Sequence, residues 1–189
     1  MEKLSLDCEN AEYESLGKIV SKMERLKNLS FYHCERADNN FLQFLIKLQL
    51  QKLEISKALG VEREDWQRLF TENEFDLLEI NLEESHTVED EVIMLIAERN
   101  RKLRKVNISW CWEVTSKGVS YMFKKCTLEK ASLRGLKKID DEAFPEGEYY
   151  EWLKELDLTS CDFVGKKGFE RVRKGGGRGR ILDYYGKEV

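Results

Sequence analysis

Five cysteines (Cys8, Cys34, Cys111, Cys126, Cys161) and two histidines (His33, His86) are the side chains here best suited to nucleophilic or metal chemistry. Structural zinc sites usually draw their thiolates from closely spaced pairs, and the sequence contains no CxxC. His33 and Cys34 resemble a thiol–imidazole pair, but neighbours on an extended segment point to opposite faces. HExxH, GxSxG, P-loop and dinucleotide fingerprints are all missing from the sequence. Carboxylates are plentiful, yet none stands out as a paired acid and base. The reading is therefore non-enzymatic, with no catalytic residue, metal ligand or cofactor assigned. One phosphate-friendly motif remains, Lys174-Gly-Gly-Gly-Arg-Gly-Arg180, and a single copy between a helix and a strand reads first as a flexible loop.

The elements that position these residues follow from an internal repeat. Leu103, Val106, Ile108 and Cys111 define the frame L-x-x-L-x-L-x-x-C, which returns at Leu153, Leu156, Leu158 and Cys161. Earlier copies start at Leu26, Leu50 and Leu77, and another at Leu128, so the steps are 24, 27, 26, 25 and 25 residues. A first copy is read at Met1, Leu4 and Leu6, with Cys8 one place early. The L-x-L core has the two-residue period of a strand, and the segments after it, such as 89–98 and 115–125, have helical spacing. A strand plus a helix every 25 or so residues buries its apolar face only by stacking on the next unit. The expected fold is α/β: a right-handed solenoid of about seven strand–helix repeats, with a parallel concave sheet inside and helices outside.

The segments from Leu103 to Val119 and from Leu153 to Phe169 resemble the cysteine-containing leucine-rich repeat, and Cys126 matches that family's helix-end cysteine. Such repeats form the substrate-binding domain of F-box/LRR ubiquitin ligases. The resemblance implies that Cys34, Cys111 and Cys161 fill a buried turn position where the S–H bonds backbone. Cys111 and Cys161 then stand two repeats apart, roughly 10 Å, beyond disulfide reach. No F-box precedes the repeats: there is no Leu-Pro start and no helical trio. The first frame opens at Met1, which suggests a fragment, a capping partner or upstream domain at the N-terminal edge, or an F-box-less branch. Residues 1–174 are read as the solenoid and 175–189 as a Gly/Arg turn with a capping strand, Ile181 to Tyr185.

With the leucines inward, the interleaved residues line the concave face. Asn28, Tyr32, Glu79, Asn81, Glu83, Lys105, Asn107, Lys130, Arg134 and Asp157 are the candidate partner-binding residues there. Trp110, at the strand exit, is either a rim anchor for the partner or packing against the next repeat's loop. Trp112 is assigned to the loop side, and Trp66 and Trp152 to helix packing. Charge comes in blocks: residues 71–98 hold ten acids and no Lys or Arg, whereas 99–138 hold twelve bases against Glu113 and Glu129. Adjacent blocks of opposite sign steer a partner of mixed charge.

A net charge of −4 and the lack of a basic–aromatic platform argue against nucleic acid as the main partner. No apolar run is long enough for membrane insertion. An odd, scattered cysteine set and an acidic N-terminus suggest an intracellular protein, cytoplasmic or nuclear, or mitochondrial after loss of a presequence. Three functions follow in order: a protein-interaction scaffold like the substrate reader of an F-box-type ubiquitin ligase, a subunit or assembly factor of a larger complex, and an anion or RNA binder.

Overall fold

A computed structural model describes residues 1–73 and 75–189; Glu74, one of the ten acids above, lies outside them. Eight strands form one parallel sheet in chain order: β1 (Lys3–Asp7), β2 (Asn28–Tyr32), β3 (Lys52–Ile55), β4 (Glu79–Asn81), β5 (Lys105–Asn107), β6 (Lys130–Ser132), β7 (Glu155–Asp157) and β8 (Arg180–Leu182). The described helices are α1 (Tyr13–Val20), α2 (Asn39–Gln43), α3 (Arg63–Glu72), α4 (Asp90–Arg99), α5 (Ser116–Lys125) and α6 (Lys166–Lys174). Between β6 and β7 the returning segment is a short 3₁₀ turn, Asp141–Ala143. The frame residues align across the whole sheet, from Leu4 beside Leu29 to Leu156 beside Ile181. From Leu26 onward the leucines, isoleucines and valines of the frame are buried between sheet and helices, whereas in the first copy Leu4 is only partly buried and Met1 and Leu6 are exposed. Among the described residues no helix lies on the opposite sheet face.

A ladder of turns runs down one side of the sheet. The residue before each cysteine slot has positive φ: His33, Lys57, Glu84, Trp110, Gly135 and Ser160 all lie between 54° and 66°. A left-handed conformation costs a non-glycine residue about 1 kcal/mol or more. The cost is offset by hydrogen bonding, because each turn donates to the next: Glu84 N to Ser109 O at 2.9 Å, Trp110 N to Arg134 O at 2.7 Å, Ser160 N to Tyr184 O at 2.9 Å. The slot residue then points inward. The Cys111 thiol donates to Leu82 O at 3.1 Å and the Cys161 thiol to Leu133 O at 3.0 Å.

A second device couples adjacent repeats at the helix N-termini. The buried Asp90 carboxylate accepts from Thr115 N at 2.8 Å and Thr115 Oγ1 at 2.5 Å. It therefore holds Thr115, whose hydroxyl caps α5 by accepting from Lys117 N, at the helix start of the following repeat, where negative charge suits the helix dipole. A Cβ at Gly118 would stand 2.4 Å from Asp90 Oδ1, so only glycine admits this carboxylate. One pair further on, Asp141 Oδ1 accepts from Gly165 N and Gly168 N at 2.7 and 2.9 Å.

The first turn departs from the frame. Cys8 N donates to Tyr32 O, and the chain folds inward one residue earlier than in β2, so Cys8 itself is buried. At the far end, residues after β8 fold back: Asp183 N donates to Lys187 O and Val189 N to Ile181 O.

Candidate interaction surface

The uncovered sheet face presents three rows of side chains, one from each interleaved position. In the first row, Glu79 is bracketed by Lys105 at 2.5 Å and Lys52 at 3.7 Å. Farther along, Glu155 is bracketed by Lys130 at 3.3 Å and Arg180 at 3.6 Å. Lys52 also meets Glu54 at 3.1 Å. Burial works against the Lys52 charge, but the bond to Glu54 and the Glu79 carboxylate outweigh it and raise its pKa. Much of the charge on this row is thus paired on the surface, where each pair is worth about 1 kcal/mol or less.

The middle row has a structural duty that sequence spacing did not disclose. Asn81 Oδ1 accepts from Glu83 N at 2.9 Å, Asn107 Oδ1 from Ser109 N at 3.1 Å, and Asp157 Oδ1 from Thr159 N at 3.0 Å. These side chains close the turn that leads into the left-handed residue. Asn107 keeps its amide for Glu83 Oε2 at 3.3 Å, and Arg134 Nε lies 3.7 Å from Asp157. Tyr32 is exposed at the edge of the third row, its hydroxyl donating to Glu54 at 3.3 Å. Asn28 sits half-buried at the start of β2. A shallow depression of about 220 Å³ joins Glu79, Asn81, Lys105, Asn107 and Lys130.

Two tryptophans fall elsewhere. Trp110 has left-handed backbone and its ring lies over Gly135, where a Cβ would be 2.1 Å from it. Of the two placements open from sequence, the structure takes packing on the next repeat's loop. Trp152 does not pack on a helix: it is 58% exposed in the loop before β7, because the 3₁₀ turn brings no helix across it. Trp66 is fully buried on α3, donating to Thr87 Oγ1 at 3.2 Å.

The thiols are placed for packing. Burial pushes Cys111 up to about 12 and Cys126 and Cys161 up to about 11. Cys34 and Cys8 meet just beyond β1 and β2, and the hydrogen bond that Cys34 donates to the Cys8 sulfur, together with burial, raises the pKa of Cys34. His33 points outward, Nδ1 at 3.0 Å from Asp7, so the imidazole and the adjacent thiol are kept apart. Among the described residues no cluster of three or more His, Cys, Asp or Glu side chains is placed to hold a metal ion. Nor is any described helix long and apolar enough to cross a membrane.

Sequence inspection missed two features. Lys52 and Glu54, which the frame already turns to the concave face, pair with each other to complete the ionic ladder, and His86 stacks on Trp112 with ring centres 4.1 Å apart. The signal was available: both rings stand one residue after the slot in successive repeats.

Residues 99–123 and 151–170 match the leucine-rich-repeat family model. That match falls on the repeats whose register and turns have just been described. The chain folds as a leucine-rich-repeat solenoid. Its fold is shared with a chain from the crystal structure of the TLR13–ssRNA13 complex, 14% identical with a TM-score of 0.57, over 96% of this chain and 30% of that one. A chain from the crystal structure of the yeast Rad7–Elc1 complex also matches, at 14% identity and a TM-score of 0.39, over 91% of this leucine-rich-repeat chain and 67% of its own. No curated protein matches the sequence significantly.

Proposed function

We propose that the chain is a non-enzymatic protein-interaction scaffold whose uncovered sheet face binds a partner protein, similar to the substrate-recognition domain of an F-box-type ubiquitin ligase. One observation carries this reading: successive parallel strands project polar and charged side chains onto a face that, among the described residues, no helix covers. The ladder of alternating charge favours a protein of mixed charge over a uniform polyanion. Lys105, Lys130, Arg134 and Glu79 form the heart of this surface, with Asn28, Tyr32, Glu83, Asn107 and Asp157 around it. Residues 1–174 serve as the reading surface and 175–189 as its cap. The test is affinity capture from the native source with the intact chain and charge-reversed variants. Lys105→Glu with Arg134→Glu should abolish partner recovery, whereas Lys117→Glu on a helix should not. Partner loss on the helix variant alone would overturn the reading. Co-recovery of a cullin-based ligase core would assign the ubiquitin role.

A second reading, a fixed subunit or assembly factor, is favoured by the outer side of β1. Among the described residues no strand lies beyond it, and Leu6 is exposed there. An unpaired edge strand is a template for a neighbouring chain. This reading expects a constant set of co-purifying subunits, with recovery lost on changing Ser5 to Pro and retained on open-face reversal.

A further inference from the structure

The rim carrying the turn ladder forms a second surface, separate from the sheet face. Large apolar groups project from alternate loops, those after β3, β5 and β7: Leu59 is 47% exposed, Trp112 45% and Phe163 68%. His86 lies flat against Trp112, 4.1 Å between centres and 12° between planes. The stack holds the indole in place while leaving nearly half of it in water. A pre-ordered aromatic side chain of this kind gives contact area at little conformational cost.

Charge decides what this surface takes. The loop that carries His86 also contains Glu84 and ends at Glu89, with Glu91 following in the first turn of α4 and no Lys or Arg between them. Glu84 borders a depression of about 400 Å³ that also meets Asp7, His33 and Lys57 on the turn side. Nearby cations are already engaged: Arg63 with Glu89 at 2.9 Å and Lys138 with Glu113 at 2.7 Å. Lys57 reaches Glu84 only at 4.0 Å. An exposed indole beside surplus carboxylates suits a guanidinium, which stacks on aromatic faces while its N–H groups donate to carboxylates. An ammonium gains the carboxylates without the stacking, and a phosphate backbone is repelled. We propose that the rim around Trp112, His86 and Glu84 binds an arginine-bearing basic segment of a protein partner. This surface does not depend on the sheet-face reading.

The test titrates the intact chain with fluorescein-labelled nona-arginine and nona-lysine peptides, followed by anisotropy at physiological salt. Equal charge isolates the stacking. The arginine peptide should bind about fivefold more tightly, the range of an exposed cation–π contact. Trp112→Ala should remove that preference and Trp112→Phe should keep most of it. Glu84→Lys should weaken both peptides, and Lys105→Glu on the sheet face should leave the preference unchanged. Trp112 is half exposed, so its variants should fold, which circular dichroism checks. Equal affinities in the unmodified protein, a preference that survives Trp112→Ala, or no binding at all would each overturn the proposal.

Discussion

The first three repeats and the last four hold the same sheet together by different means. In the first three, the seams are aromatic: Phe41 packs against Phe31 and Tyr13 with ring centres 5.4 and 5.1 Å apart. There α2 spans five residues, Asn39–Gln43, and Phe44 fills the space above Gly17. From α4 onward an aromatic contact persists, Phe123 against Phe144 and Tyr150 at 5.9 and 5.1 Å, but position-specific polar bonds are added to it: Asp90 on Thr115, Ser116 Oγ on Asp140 at 2.6 Å, Asp141 on Gly165, and thiols on preceding carbonyls. The difference teaches that a solenoid can be stacked by filling volume or by repeating directed bonds. Volume can be filled by many side chains, so it leaves little trace in a repeat pattern. Directed bonds demand one residue type at one spacing. The family model matches only within the second region.

The comparison predicts its own sharpest break. Phe41→Ala removes a ring that is 1% exposed at the aromatic seam, and should cost about 4 kcal/mol of unfolding free energy in urea. In a quasi-one-dimensional fold that loss should open repeats one to three first, seen as faster amide exchange there than over residues 99–170. Uniform exchange along the chain would mean that the two regions act as one unit.

Asp90→Ala should cost less, about 2 kcal/mol, since it orphans the Thr115 N–H at a buried helix start. Gly118→Ala should be destabilising alone but nearly harmless in the Asp90→Ala background, a coupling of about 1 kcal/mol or more between the two sites. Additive effects would show that the carboxylate and the glycine are not a matched pair. Glu79→Gln, on the sheet face, removes two exposed ion pairs and should change stability by no more than about 1 kcal/mol.

The smallest expected effect is a pH dependence in the polar region. The Tyr121 hydroxyl, then Lys125 and Arg101, donate to Glu98 and hold its carboxyl down at about 2. A carboxylate depressed from an unfolded value of about 4.3 adds stability that is present above that value and lost as pH falls toward 2. Glu98→Gln should slightly flatten the urea midpoint between about pH 5 and pH 2, the carboxylate being exposed. An unchanged slope would remove Glu98 from the seam.

Residue identity and spacing were enough to read strand positions, register and the inward face, because burial selects apolar side chains at a fixed period. That is why Leu53, Ile80, Val106 and Leu156 stand where the frame places them. The candidate surface was legible to the same extent, since an alternating strand must turn Glu79, Lys105 and Lys130 to the other side. What each of those side chains does there was not legible. Asn81, Asn107 and Asp157 close turns through bonds to their own backbone, and a frame of outward positions does not distinguish such a residue from a free one. Trp110 lies on Gly135 of the next repeat, and Trp152 is left exposed after a segment that returns through a 3₁₀ turn in place of a full helix, neither of which a single repeat frame displays. The sequence by itself determined the repeat, its register and its inner face, which depend on local period. Only the tertiary structure decided which charges pair, which aromatics stack and which remain free, because those contacts join residues about 25 positions apart through three-dimensional packing.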